Sequence, residues 1–187
     1  ARLRPHEAHA DTLAMTDVYL VARLDGRRFS RLTRETLHDR LEAPFDETFH
    51  QAMLHTLEAL MSEGLHIIYG HTHSDEFSLL FHRDTQDFGR RLHKLCATLA
   101  GLASACFSLE LEALATFDCR LLQLPTQELV LDYFQWRQHV AHHNALHAHC
   151  YWALRHGGED PKSAHATLHG LDVSGMNAML FERFDIN

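Results

Sequence analysis

The sequence predicts an α+β, ferredoxin-like fold in the order βαββαβ, followed by a helical C-terminal part. Three observations predict it. Four short runs, 17–24, 65–69, 76–81 and 116–124, are rich in strand-forming residues. Two stretches between them carry apolar residues at helical spacing. Beyond Pro125 the pattern becomes helical and histidine-rich, with glycines and a proline where helices end and begin.

The first strand, Asp17 to Leu24 (DVYLVARL), ends at Asp25-Gly26, and residues 27–43 are charged and irregular. Phe45, Phe49, Met53, Leu57 and Leu60 then recur at helical spacing, with Gly64 where a C-terminal cap belongs. Leu65 to Tyr69 predicts the second strand, Gly70 to Ser74 a turn, and Glu76 to Phe81 the third strand. Phe88, Leu92, Leu95, Leu99 and Leu102 mark a second helix from Asp87 to about Leu109. Thr116 to Leu124 is the fourth strand, closed by Pro125. Thr126 is the expected N-cap of a helix through Trp136, which a histidine-rich segment extends to Arg155. Gly157-Gly158 ends it, Pro161 opens a short helix that stops at Gly170, and Ser174 caps a last one. The expected division is 1–125 for the catalytic core and 126–187 for a helical part packed on the same domain.

Composition narrows the function classes. A hydrophobic share of 45% with 22% charged residues is that of a soluble globular chain. No apolar run reads as a membrane span and no signal peptide opens the sequence, so no membrane partner is expected. The cysteines Cys96, Cys106, Cys119 and Cys150 lack CxxC spacing and read as buried free thiols of a reducing cytoplasm. The net charge of -8 argues against a generally basic nucleic-acid coat, but not against a local basic face. Only Lys94 and Lys162 among the 17 basic residues are lysine, and arginine suits bidentate phosphate contacts. The 18 histidines make the surface charge pH-dependent near neutrality.

Chemistry concentrates at two places. In the βαββαβ order the third strand lies between the first two and antiparallel to the first. Asp25, at the end of strand one, then meets Asp75, at the start of strand three. Two aspartates and the carbonyl of Gly26 form an oxygen set for divalent metal beside a nucleoside triphosphate, which points to nucleotidyl transfer. Each segment alone reads better as an ordinary turn; it is their convergence that favours a site. The residues after Gly26, Arg27 and Arg28 among them, can offer backbone N–H groups to phosphates. Arg90, Arg91 and Lys94 open the second helix. A solvated face is the expectation for Arg90, and Arg91 and Lys94 stay open between that and phosphate binding. His139, His143 and His147 are four apart on one stripe, spacing that zinc can use, but without a partnering motif a polar or RNA-facing side is the better reading. Phe134, Trp136, Tyr151 and Trp152 read as core and helix-packing residues.

Taken together, ARLDGRRF (22–29), YGHTHSDEFSLLF (69–81), FGRRLHKL (88–95), FDCRLLQLP (117–125), YFQWRQ (133–138), HHNALHAHCYWAL (142–154) and LFERFDIN (180–187) resemble the tRNA(His) guanylyltransferase superfamily of 3′-to-5′ nucleotidyltransferases, and its guanylyltransferase-like branch in particular. The resemblance implies a polymerase palm and an enzyme that adds nucleotides to the 5′ end of tRNA. Such an enzyme first activates a 5′-monophosphate with GTP or ATP. It implies two Mg2+ ions on Asp25, the Gly26 carbonyl and Asp75, with Asp25 and Asp75 catalytic. It implies triphosphate binding by Asp25, Gly26, Arg27, Arg28, Phe29, Ser30, Ser74 and Asp75. Phosphate or tRNA contacts fall to Arg27, Arg91, Lys94, Arg120, His142 and Asn144. Relatives suggest a homotetramer or dimer. Two departures, Ala145 where the family has a second asparagine and a longer segment Gly70 to His73, favour template-dependent 5′-end repair over addition of a single G to tRNA(His). A palm-type nucleotide cyclase and an inactive RNA-binding palm are the alternatives.

Overall fold

Leu20, Ala22 and Leu24 turn to one side of the first strand while Val21, Arg23 and Asp25 turn to the other, and that alternation organises the sheet. The computed structural model describes residue 3 and residues 12–186, so Asn187 at the end of the resemblance lies outside the described residues. Contacts divide the chain into two units, Ala1–Leu41 with Asp46–Leu131, and Glu42–Phe45 with Asp132–Asn187.

The first unit holds β1 (Tyr19–Gly26), α1 (Glu47–Ser62), β2 (Ile67–His73), β3 (Glu76–Phe81), α2 (Leu92–Leu111) and β4 (Phe117–Leu124), in the expected order. The sheet runs β2-β3-β1-β4 with every neighbouring pair antiparallel. Register places Thr72, Phe77, Leu24 and Cys119 in one cross-sheet row and Gly70, Leu79, Ala22 and Leu121 in the next. These rows meet the helices: Leu24, Phe77, Leu79 and Ala22 are fully buried in one cluster with Leu95, Leu99, Ala103, Phe107 and Leu111. The five α2 residues recur every fourth position, one continuous helix face. By length and composition alone Leu92–Leu111 is long and apolar enough to cross a membrane, contrary to the expectation from the sequence, but its buried stripe packs in the core.

Several local expectations are corrected. The turn expected at Gly70–Ser74 shrinks to Ser74-Asp75, and Gly70 is inside β2. A Cβ on Gly70 would lie 2.8 Å from Leu57 and from Met61, so this glycine serves close approach of α1. Residues 27–43 are not wholly irregular: a helical turn at Phe29–Arg31 runs into a wider π turn at Leu32–Thr36. Asp46 caps α1, its carboxylate accepting from the Phe49 N–H at 2.9 Å. The segment Phe88-Gly89-Arg90 is a left-handed turn, so the regular helix α2 starts only at Leu92.

In the second unit, α3 (Gln127–His156), α4 (Pro161–Leu168) and α5 (Val173–Phe184) contribute a core of Leu146, Cys150, Leu154, Ala164, Leu168, Met176, Met179 and Leu180. α3 extends from the first unit into this one. Thr126 caps α3 as expected, with the Leu129 N–H donating to its Oγ1 at 3.3 Å. Asp172, not Ser174, caps α5, accepting from the Gly175 N–H at 2.7 Å. Trp136 is exposed rather than core, with the Arg137 guanidinium 4.8 Å from its ring. Only Cys150 of the four free thiols is buried; the others are half-buried.

Behind the end of β1, a Cβ on Gly26 would fall 2.4–2.7 Å from the Phe29 ring, which packs on Phe107 and Phe117 at 5.2 and 5.0 Å. Gly26→Ala is therefore expected to cost about 1–3 kcal/mol by overpacking. The urea midpoint should fall without a change of slope. Asp172→Ala should cost about 1 kcal/mol through the lost cap, measured in the same way.

Candidate active site

The sheet face opposite the helices carries the polar rows. Register aligns His73, Glu76, Asp25 and Asp118 across β2, β3, β1 and β4, and His71, Ser78, Arg23 and Arg120 in the row behind. Asp25 and Asp75 meet at this end, where the Gly26 N–H donates to the Asp75 carbonyl at 3.0 Å. The two-residue loop Ser74-Asp75 joins β2 to β3, with Ser74 in the left-handed region at φ 51° and its hydroxyl donating to Asp75 Oδ1 at 3.0 Å. Burial pushes the Asp75 carboxyl above its ordinary range. The Ser74 hydrogen bond opposes that, and the charge of Asp25 adds to it. A cation between the two carboxylates would oppose both raising effects.

Arg23 links the rows. Its Nε lies 2.7 Å from Glu76 Oε2 and its Nη2 donates to Asp25 Oδ2 at 3.2 Å. Glu76 is almost fully buried, and His73 Nδ1 stands 3.9 Å from its other oxygen. A buried carboxylate held on one side by a guanidinium is a rigid reference, so Arg23 in turn limits the orientation of Asp25. Reading the sequence counted Arg23 only among the basic candidates near phosphates and missed Glu76 as a site residue. Glu76 was legible only as the first residue of a strand. Period-two alternation of Arg23 with Asp25 was the available signal.

The donors available for a metal are hard oxygens: the Asp25 and Asp75 carboxylates and the Gly26 carbonyl. Among the described residues no three His, Cys, Asp or Glu side chains gather to hold an ion unaided. That suits a magnesium ion, which keeps waters and takes the rest of its shell from substrate phosphates. The missing Cβ at Gly26 leaves its backbone closely supported by Phe29. The residues present therefore fit the ion.

The other expected site residues scatter. Arg27 and Arg28 are exposed beside the aspartates; the Arg27 N–H donates to the Thr116 carbonyl at 2.8 Å, and Arg28 is left-handed at φ 58°. Ser30 is exposed on the next turn, whose first N–H groups lack intrahelical acceptors. The Phe29 side chain is buried in the core among Phe49, Phe107 and Phe117, so only its backbone is available to a nucleotide. Arg120 is exposed, 3.8 Å from Asp118. Arg91 and Lys94 are not beside the aspartates. They stand where β3 has already run its length away from Asp75, ~17 Å on, and Arg91 Nε donates to the Phe88 carbonyl at 2.9 Å. Arg90 is buried rather than solvated, its guanidinium donating to the Thr85 and Met15 carbonyls at 3.0 and 2.5 Å. His142 and Asn144 are exposed on α3 in the second unit, where with His139, Val140, His143 and Val173 they line an open concavity of about 480 Å³.

Comparison with known proteins identifies the family. The family model Thg1, tRNAHis guanylyltransferase, matches residues 1–125, and the Thg1 C terminal domain matches residues 128–187. The probable tRNA(His) guanylyltransferase of Dictyostelium discoideum is 33% identical over 94% of this chain and 71% of that protein. The tRNA(His) guanylyltransferase of Debaryomyces hansenii is 33% identical over 95% of this chain and 70% of that protein. A bacterial tRNA(His) guanylyltransferase (Thg1)-like protein, solved in complex with ATP, superposes with a TM-score of 0.85 at 27% identity, covering 100% of this chain and 80% of that one. With likeness at this level running through both units, the chain belongs to the tRNAHis guanylyltransferase family, a family of nucleotidyltransferases.

Proposed function

We propose that the protein adds nucleotides to the 5′ end of tRNA in the 3′-to-5′ direction, as template-dependent repair of a truncated end. The observation that carries the reading is the junction of Asp25-Gly26 with Asp75, tied by the Gly26 N–H to the Asp75 carbonyl. Membership of the family supports the reaction class. The likeness to a bacterial Thg1-like protein and the Ala145 substitution support repair over a single G addition. The longer segment Gly70 to His73 extends strand β2 rather than a loop, so it bears on the sheet edge and not on turn chemistry.

Asp25, the Gly26 carbonyl and Asp75 would hold the magnesium ions. When bound, these supply charge neutralisation of the triphosphate and of the developing oxyanions. The chain's own part is positional. Arg23 and Glu76 fix the face from which Asp25 projects. The turn after Gly26 offers Arg28, Phe29 and Ser30 N–H groups to phosphate oxygens, with the exposed Arg27 and Arg28 side chains beside them. Arg120 gives a further cation on the same face for the 5′ end of the RNA. In the first step an oxygen of the RNA 5′-monophosphate attacks the α-phosphorus of GTP or ATP and pyrophosphate leaves. In the second the 3′-hydroxyl of the incoming nucleotide attacks the activated 5′ phosphorus and the nucleoside monophosphate leaves.

The test is incubation with Mg2+, labelled GTP and a 5′-monophosphorylated tRNA lacking its first nucleotide, beside the intact tRNA. Label should enter the truncated 5′ end opposite a templating C. Label on intact tRNA(His) alone would replace repair by single G addition, and a cyclic nucleotide product would overturn both. Asp25→Asn and Asp75→Asn should each lower kcat on the order of 10²–10⁴-fold, with the thermal midpoint retained. Glu76→Gln should lower kcat/KM more mildly, through misplacement of Asp25. Equal damage from Glu76→Gln and Asp25→Asn would mean that Glu76 itself contacts the ion.

A further inference from the structure

The second unit contains seven carboxylate side chains and four of arginine or lysine, so with neutral histidines it is a weak anion. It also contains eight histidines. Protonation of half of them reverses its sign. Four are gathered. His139, His143 and His147 follow one stripe of α3 that Tyr151 continues, and His165 of α4 reaches the same place, its ring 4.8 Å from that of Tyr151. His139 and His143 also line the concavity described above, to which α5 contributes Val173 and no charge. Among the described residues none of these four imidazoles is paired with a carboxylate.

The groups that act on His147 are imidazoles too. Burial, then the charges of His143 and His165, hold its proton affinity below the ordinary value. In an unliganded cluster of this kind each protonated ring disfavours the next. A polyanion laid on it would favour the protonated rings, so binding and proton uptake are linked. A metal is a poorer occupant, because no three ligands converge among the described residues. The chain as a whole carries a net charge of -8, and this is a surface whose sign protons can change.

We propose that His139, His143, His147 and His165 form a docking surface for RNA phosphates, made cationic by protons that the complex takes up. The inference rests on the reading of the protein as an enzyme acting on tRNA. Four added protons would take the second unit from three negative charges to one positive charge. The sign of the linkage follows: RNA raises the imidazole pKa, so affinity is greatest below the free value and declines as pH rises through the bound one.

The experiment is fluorescence anisotropy of labelled tRNA with the full chain, in EDTA and at constant ionic strength, from pH 6 to pH 8. The Kd should fall at least ~10-fold toward pH 6. In H139Q/H143Q/H147Q/H165Q, checked for helix content by circular dichroism, that change should shrink to about threefold or less. H139R/H143R, at two exposed positions, should bind more tightly at pH 8 and respond less to pH, which keeps the test alive if the fourfold variant does not fold. A pH-independent Kd, an unchanged slope in either variant, or a slope that appears only with added zinc would overturn the proposal. No nucleotide transfer enters the measurement. Flat binding with intact 5′ addition would remove this inference alone, whereas absence of 5′ addition would strike the proposed reaction.

Discussion

The antiparallel pairing of β1 with β3 is the constraint from which the site follows. It sets Asp25 opposite Glu76 and, through the two-residue loop, brings Asp75 to the end of β1. Side chains alternate across a strand, so a slip by one residue would turn Leu24 outward and bury Asp25 among Phe77 and Leu79. The cost of that exchange, a lost apolar side chain and a buried charge, is what holds the register. Arg23 adds a check on the polar side, because its ion pair with Glu76 crosses from β1 to β3 and exists only in this alignment.

Behind the carboxylates the support is aromatic. Phe29, Phe49, Phe77, Phe107 and Phe117 meet at ring separations of 5.0–6.0 Å, mostly tilted or edge-on. Rings packed this way bury large areas with few rotamers open to them. The cluster joins α1, α2, β3 and β4 to the turn after Gly26. The backbone that would meet a triphosphate therefore rests on the most rigid part of the core, which suits a site that works by positioning.

Much of this was legible in the sequence. Strands rich in Val, Tyr, Leu and Phe and two periodic helices fixed the topology, and topology alone brought Asp25 to Asp75. What was not legible depends on contacts distant along the chain. Gly70 looks like a turn residue, yet its role is to admit Leu57 and Met61 of α1. Phe29 follows a phosphate-type turn and yet belongs to the core. Glu76 acquires meaning only from Arg23 across the sheet. Arg90 sits at helical spacing, but the left-handed turn with Gly89 carries it inward to clamp Met15. Of these, Gly89 was the one local warning. Asp172 and Ser174 are both good caps, and nothing local chose between them.

The sheet has two ends, and the basic residues are divided between them. Arg27, Arg28 and Arg120 accompany the aspartates, while Arg91 and Lys94 stand about a strand length away, at ~17 Å. No single triphosphate reaches from one set to the other. At ~3.4 Å of rise per stacked nucleotide, a strand lying against one copy of the chain needs about five nucleotides to touch both. In the proposed reaction the two clusters would therefore be separate footholds: one sized for a reacting phosphate, the other for a stretch of nucleic acid well away from the end being extended.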